Sequence, residues 1–308
     1  ISDIGDLMFP IIPANSVTAV SGNQEGIFGF GYSGGFSAIT NLVSSSGVVA
    51  SDTAGVGTGR TGTAGCEYGE DTAIFGFGSS GVGISTTNLV SNVGVVSSDV
   101  VGVGTARHYV GACSYGGDKG IFGYGLVSGG TYQSLSNKVS NAGVVATDTT
   151  GVGSARLDLV ATEYGEDKGI FGFGNAGPTK YGVTNLVSNS GVVASDTAAV
   201  GTGRIGPAAC GYGGDKGIFG FGNTASGACD ITNLISNGGV VQSDVTGVGT
   251  ARYGSAACEY GGDKGIVGYG YTTVNVSMTN LVSNAGVVAA DVTGVGTVRN
   301  SLAACSFN

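Results

Sequence analysis

Every arginine in this 308-residue chain stands in the same kind of place. Arg60, Arg107, Arg156, Arg204, Arg252 and Arg299 each follow an aspartate by eight residues, at Asp52, Asp99, Asp148, Asp196, Asp244 and Asp291. Two chemistries are open to such a set. A ring of cations could hold an acidic ligand, or each Asp–Arg pair could latch one corner between two β segments. Identical placement throughout is what a scaffold needs, so the latch is the favoured reading. An exposed pair would contribute about 0.2–1 kcal/mol, more if partly buried and bidentate. The neighbouring pairs Asp118–Lys119, Asp167–Lys168, Asp215–Lys216 and Asp263–Lys264 read as solvated turn residues, as do the adjacent acids Glu70–Asp71 and Glu166–Asp167.

The remaining reactive side chains point away from catalysis. His108 is the only histidine, so neither a Ser-His-Asp triad nor a histidine-rich metal centre can be assembled. Five of six cysteines share one slot, at Cys66, Cys113, Cys210, Cys258 and Cys305, with Thr162 in the sixth copy; Cys229 stands apart in a loop. None has the Cys-x-x-Cys spacing of a metal ligand. Symmetry-equivalent slots seldom bring two Cα atoms within the roughly 7 Å a disulfide requires, so the thiols read as small buried hydrophobes in a protein folded in a reducing compartment. Strings such as Gly102-Val103-Gly104 precede a strand rather than a helix, which argues against a phosphate loop. No enzyme activity, cofactor or metal is expected.

These residues must be positioned by a repeat. Gly-Ile-Phe-Gly-Phe/Tyr-Gly recurs in near-copies with its Ile at Ile27, Ile74, Ile121, Ile170, Ile218 and Ile266, a period of 47 to 49 residues. Each unit reads as four short β segments. Segment A follows the Arg, as in Ala256–Tyr260; a Gly-Gly-Asp-Lys turn leads to the Ile-aromatic segment B; a variable loop leads to segment C, Thr-Asn-Leu-Val-Ser; and Ser-Asn-x-Gly turns into segment D, Val-Val-x-x-Asp. No helical period is present. Alternation along B sends Phe28 and Phe30 to one face and Ile27, Gly29 and Gly31 to the other, so aromatic rings of one unit can lie on the glycine-lined surface of the next. A unit cannot bury both faces alone, so the units must stack.

An Arg before a small-residue strand, a turn, and then an Ile-aromatic strand with Gly resembles the Kelch repeat of β-propellers over residues 15–308. The chain differs in having Gly-Phe/Tyr-Gly where Kelch blades usually carry a Gly doublet, and in having no Trp. In texture the repeats are also similar to glycine-rich propellers of phage tail-associated proteins. The resemblance implies an all-β, six-bladed β-propeller of four-stranded blades. Copper-binding propeller oxidases and sialidases are excluded by the single His and the missing Trp. The A-strand aromatic slot holds Tyr68, Tyr115, Tyr164, Tyr212 and Tyr260, then Phe307 at the C-terminus, whereas the matching N-terminal slot holds Ser21. Ser301–Phe307 is therefore expected to close the ring by joining the N-terminal blade, leaving residues 1–14 as an arm or linker. The alternatives are that both segments are A strands with a further blade missing, or that the chain is a β-solenoid.

Composition bounds the partners. A net charge of −9 disfavours nucleic acid and anionic lipid, and no apolar run reaches the roughly 18–20 residues of a membrane helix, so membrane insertion is not expected. No signal peptide is visible, and the start at Ile1 rather than Met implies an upstream part. Among the repeats, variation concentrates in the B–C loops and just after each Arg, two connections that share one face of an up-down-up-down unit. A rigid frame with one diversified face is how binding loops are arranged. Tyr32, Phe36, His108, Tyr109, Tyr132, Tyr181, Tyr253 and Tyr271 give that face its anchors. The expected function is non-enzymatic binding or adhesion to a cell-surface glycan or protein, on a virion (a phage tail or fibre) or an extracellular surface, with the arm holding other assembly proteins. The alternative is a structural virion or surface-assembly subunit with no external ligand.

Overall fold

A computed structural model describes residues 23–307. It is all-β: 20 strands lie in six three-stranded antiparallel sheets and one two-stranded ribbon, and no helix occurs among the described residues. Each main sheet is one repeat, with strand B in the middle. Sheet I holds Glu25–Gly29 between Thr40–Val43 and Ala303–Phe307. Sheet II is Ala64–Tyr68, Thr72–Gly76 and Thr87–Val90; sheet III is Gly111–Tyr115, Lys119–Leu126 and Tyr132–Val139. Sheet IV is Val160–Tyr164, Lys168–Gly172 and Thr184–Val187; sheet V is Ala208–Tyr212, Lys216–Thr224 and Gly227–Ile235. Sheet VI is Ala256–Tyr260, Lys264–Tyr271 and Asn275–Val282. The ribbon, Asn175–Ala176 with Thr179–Lys180, belongs to the B–C loop of sheet IV.

The C-terminal strand fills the A position of sheet I, with Ile27 opposite Cys305 and Glu25 opposite Phe307. All strand pairings among the described residues are antiparallel, unlike stacked solenoid rungs. The proposed arm at residues 1–14 lies outside the described residues.

Packing runs from sheet to sheet and returns to its start. Each of six buried clusters spans two neighbouring sheets, and the one containing Phe28, Tyr260 and Tyr269 joins sheet VI to sheet I. A second cycle is made by the backbone. Gly62, Tyr109, Asp158, Gly206, Gly254 and Ser301 each donate an N–H to the carbonyl of the neighbour before it, Gly62 to Ser301 and Ser301 to Gly254, at 2.7–3.2 Å. All six residues have positive φ, between 49° and 63°, the turn geometry that aims each amide at the next carbonyl.

The glycine surfaces do receive aromatic rings. A Cβ on Gly123 would lie 2.8 Å from the Phe171 ring, and one on Gly268 2.8 Å from Phe28. Each buried ring contributes about 2 kcal/mol. The cysteine slot works likewise: a Cβ on Gly26 would meet Cys258 Sγ at 2.6 Å. All six thiols are free and buried.

Two sequence expectations are corrected. Phe28 and Phe30 do not share a face. Phe30 sits at φ 65°, and the equivalent Phe77, Tyr124, Phe173, Phe221 and Tyr269 at 61–65°. This left-handed residue bulges the strand and turns its ring over, so Phe28 meets Tyr269 of sheet VI while Phe30 meets Phe75 of sheet II, both at 5.2 Å edge-to-face. A non-glycine residue there costs about 1–2 kcal/mol, offset by burying the second ring on the opposite side. Segment D, in turn, is not a strand. It touches strand C at two isolated bridges per repeat, as at Val43–Val49 and Thr40–Thr53. Between them a single backbone bond, Ala50 N to Leu42 O, is supplemented by the side chain of Asn41, which donates to Ala50 O and Asp52 Oδ1.

Candidate functional site

The arginines prove to be the fully enclosed centre of each junction; all six are 0% exposed. Arg107 lies over the Phe77 ring of sheet II, 4.3 Å from its centroid, while its guanidinium donates to Tyr124 O and Asn137 Oδ1 of sheet III. The Asn at each such position is also 0% exposed and uses both amide ends, accepting from Arg and donating to Asp.

The pairing differs from the latch expected from spacing. Arg107 approaches Asp148 of the following repeat, at 3.7 Å, not Asp99 eight residues before it. Arg156 faces Asp196 at 3.9 Å and Arg252 faces Asp291 at 3.8 Å. Arg60 faces Asp99, Arg204 faces Asp244, and Arg299 faces Asp52 at the other end of the chain. The carboxylate's short bonds go to the Gly-Val-Gly-Thr loop: Asp148 accepts from Thr105 N and, at 2.6 Å, from Thr105 Oγ1. Segment D swings away from its own Arg, which leaves the neighbour's within reach. Burial pushes Asp148 up, but the bonds from Thr105 and Asn137 outweigh it and hold the carboxyl below the ordinary range. Burial draws Arg107 down to about 10, so it stays charged at neutral pH.

The residue after each Arg bridges to the first residue of a B–C loop: Asn300 to Tyr32, Thr61 to Ser79, His108 to Leu126, Leu157 to Asn175, Ile205 to Asn223, and Tyr253 to Tyr271. The two variable regions therefore meet in all six sheets. The constant A–B and C–D turns meet elsewhere, with Asn141 donating to Asp118 and Asn284 to Asp263. Gln24 O accepts from Gly261 N on that turn side, and Phe307 pairs with Glu25.

The eight anchors separate into groups. Tyr32, Phe36, Tyr253 and Tyr271 come together where sheets I and VI adjoin. His108 and Tyr109 touch each other at 5.0 Å beside sheet III, and burial lowers the His108 pKa. Tyr132 lies opposite Leu126 in sheet III, and its hydroxyl accepts from Gly177 N in the sheet IV loop. Tyr181 is half-buried, and its amide donates to Gly174 O.

Sequence reading missed a cavity of about 150 Å³ lined by residues of all six A strands. The position between the Cys and Tyr slots reads Glu67, Ser114, Glu163, Gly211, Glu259, Ser306, so carboxylates alternate with small residues around it. Its lining contains no Lys, Arg or His. Burial raises Glu67 to about 8 and Glu163 to about 7, with Glu163 adding repulsion at Glu67. Glu259 is raised too, by burial and by both other acids. Asp158, on the backbone cycle at the mouth, is pushed up to about 6 by burial. The signal was present in the sequence as acids set in an otherwise small-residue strand. Among the described residues, no group of three or more His, Cys, Asp or Glu is placed to hold a metal ion. Compared with known proteins, the chain matches no family model and no curated protein.

Proposed function

We propose that the six sheets are the blades of a β-propeller and that the protein is a non-enzymatic binding module. The returning sequence of packed sheets, the backbone cycle of six hydrogen bonds and the seating of Ala303–Phe307 in sheet I support the closed ring. Each blade is three strands plus the bridged segment D. The observation that carries the binding reading is the sixfold meeting of both variable regions on one side, above junctions that hardly change. Its ligand is a cell-surface glycan or protein. Attachment to a virion or other extracellular assembly through the turn side, where Gln24 and Phe307 lie, leaves the loops free.

The test is binding of fluorescent protein to a panel of intact cells, comparing the parent chain with Tyr109→Ala and Tyr253→Ala, each checked for an unchanged unfolding midpoint. Binding that drops at least tenfold in one of them supports the reading. Absence of cell binding, or binding indifferent to substitutions on this face, overturns it. A second reading, an assembly subunit, is favoured by one observation: Val48, Val95, Val144, Val192, Val240 and Val287 are 60–65% exposed, one beside each segment D. Concentration-dependent assembly abolished by Val→Ser changes there, with no cell binding, would establish it instead.

A further inference from the structure

The variable side is not uniform, and one arc of it carries a distinct chemistry. Tyr32 and Phe36 stand 40% and 44% exposed, edge-to-face with ring centroids 5.9 Å apart. They are the most exposed aromatic rings among the described residues. Next to them, Tyr253 and Tyr271 form a second edge-to-face pair at 5.5 Å. Two amides connect the pairs. Asn275, opposite Tyr271 in the sheet VI hairpin, donates to Tyr32 O at 3.1 Å, and Asn300, bridged to Tyr32, donates to Asn275 Oδ1. Asn300 Oδ1 accepts from Ser301 Oγ at 2.8 Å.

The hydrogen-bond inventory of these amides is only half used. A carboxamide has two N–H donors and two acceptor lone pairs. Asn275 spends one N–H on Tyr32 and one lone pair on Asn300; Asn300 spends one N–H on Asn275 and one lone pair on Ser301. Each keeps a donor and an acceptor in a fixed orientation, between flat, partly exposed rings. The segments that build the arc, residues 32–36, 253–254, 271–275 and 300–301, contain no charged side chain. Among the described residues no other stretch of this side combines exposed ring pairs with cross-linked amides: around sheets III and IV the Tyr132 hydroxyl is engaged with Gly177 and the His108 and Tyr109 rings pack on one another.

We infer that this arc is a binding site for a neutral carbohydrate. An aromatic face offers an apolar platform to the C–H face of a pyranose, while a polar handle serves its rim. A spare donor and acceptor on the same amide match a hydroxyl, which also both donates and accepts. The lack of a cation in the arc, on a chain of net charge −9, leaves nothing to neutralise a sialic acid or a sulfate. The inference rests on the binding reading above and narrows it to one ligand class and one part of the face.

The test is a glycan array presenting neutral oligosaccharides (glucose-, galactose- and N-acetylglucosamine-terminated) beside sialylated and sulfated ones. It is probed with the parent chain, Tyr32→Ala, Asn275→Ala and, on the other side of the ring, Tyr132→Ala and Tyr181→Ala. Expected is binding to at least one neutral series, weakened at least tenfold by Tyr32→Ala and by Asn275→Ala, and within twofold of the parent in the other two variants. Asn275→Asp, which keeps the size but removes the amide donors and adds charge, should be as weak as the alanine variant. Binding confined to anionic glycans, binding lost only with Tyr132 or Tyr181, or no glycan binding at all overturns the inference. Cell binding measured in parallel separates the two levels: if it persists while the array is blank, the general binding reading stands and the carbohydrate assignment falls.

Discussion

At the scale of single residues, the least replaceable side chain is the one the repeat makes most monotonous. Asn137 joins Arg107, Ala146 O and Asp148 with no exposed surface. Asn137→Ala leaves a buried guanidinium short of an acceptor and frees Asp148 from one of its donors. The expected loss is about 3 kcal/mol, the upper end for removing a buried hydrogen-bond partner of a charged group, read as a drop in the urea midpoint at unchanged m-value. The Asn was visible in the sequence as part of Ser-Asn-Lys-Val, this repeat's copy of Thr-Asn-Leu-Val, but its role was not. A buried Asn looks like any strand Asn until the partner that reaches it from 30 positions away is known.

At the scale of elements, strand B is governed by the contact between a glycine and a neighbour's ring. Gly123 lies under Phe171, and a Cβ there would come 2.8 Å from Cζ. At Gly220 the facing sheet carries Val267 instead of Phe, and a Cβ would meet nothing nearer than Thr232 at 3.4 Å. Gly123→Ala should therefore destabilise by about 1–3 kcal/mol through overpacking, whereas Gly220→Ala should be neutral or slightly stabilising by restricting the unfolded chain. Thermal unfolding of the two variants side by side checks this. Gly123→Ala made on a Phe171→Val background should cost little, so the double variant is destabilised by less than the sum of the two single changes. The complementarity of ring and glycine was readable from alternation along the strand. The reversal at Phe30 and its equivalents was not, because a left-handed aromatic is adopted only when packing on both sides demands it.

At the scale of the whole molecule, one cavity draws its lining from strands of all six sheets and so brings Glu67, Glu163 and Glu259 together. All three folded pKa values lie above those of an unfolded chain, at about 8 for Glu67 and about 7 for Glu163, so the folded state holds extra protons above the ordinary glutamate range. Stability from these groups is complete below about pH 4.3 and is lost as pH rises through their raised values, for Glu163 and Glu67 about 7 and about 8. The aspartates bound to Thr and Asn, such as Asp99 and Asp148, act in the opposite sense: held below the ordinary range, they stabilise above pH 4 and lose that contribution as pH falls. Urea midpoints taken from pH 5 to pH 9 should fall with rising pH. The triple variant Glu67→Gln, Glu163→Gln, Glu259→Gln should flatten that slope; an equal slope in parent and variant would exclude the cavity acids as its source.

The amino-acid sequence by itself determined the period, the order of strands A, B and C, the glycine surfaces that accept rings, and the seat of Ser301–Phe307 beside strand B of the first repeat. Each follows from local alternation, turn chemistry or the matching of one copy against another. Only the tertiary structure decided that Arg107 answers to Asp148 rather than Asp99, that alternating glutamates share one cavity, and that Tyr32, Asn275 and Asn300 adjoin across both ends of the chain. Those neighbours are set by the angle at which one sheet packs on the next. That angle comes from the combined shape of rings, thiols and arginines at the junction, and no periodicity within a single repeat encodes it.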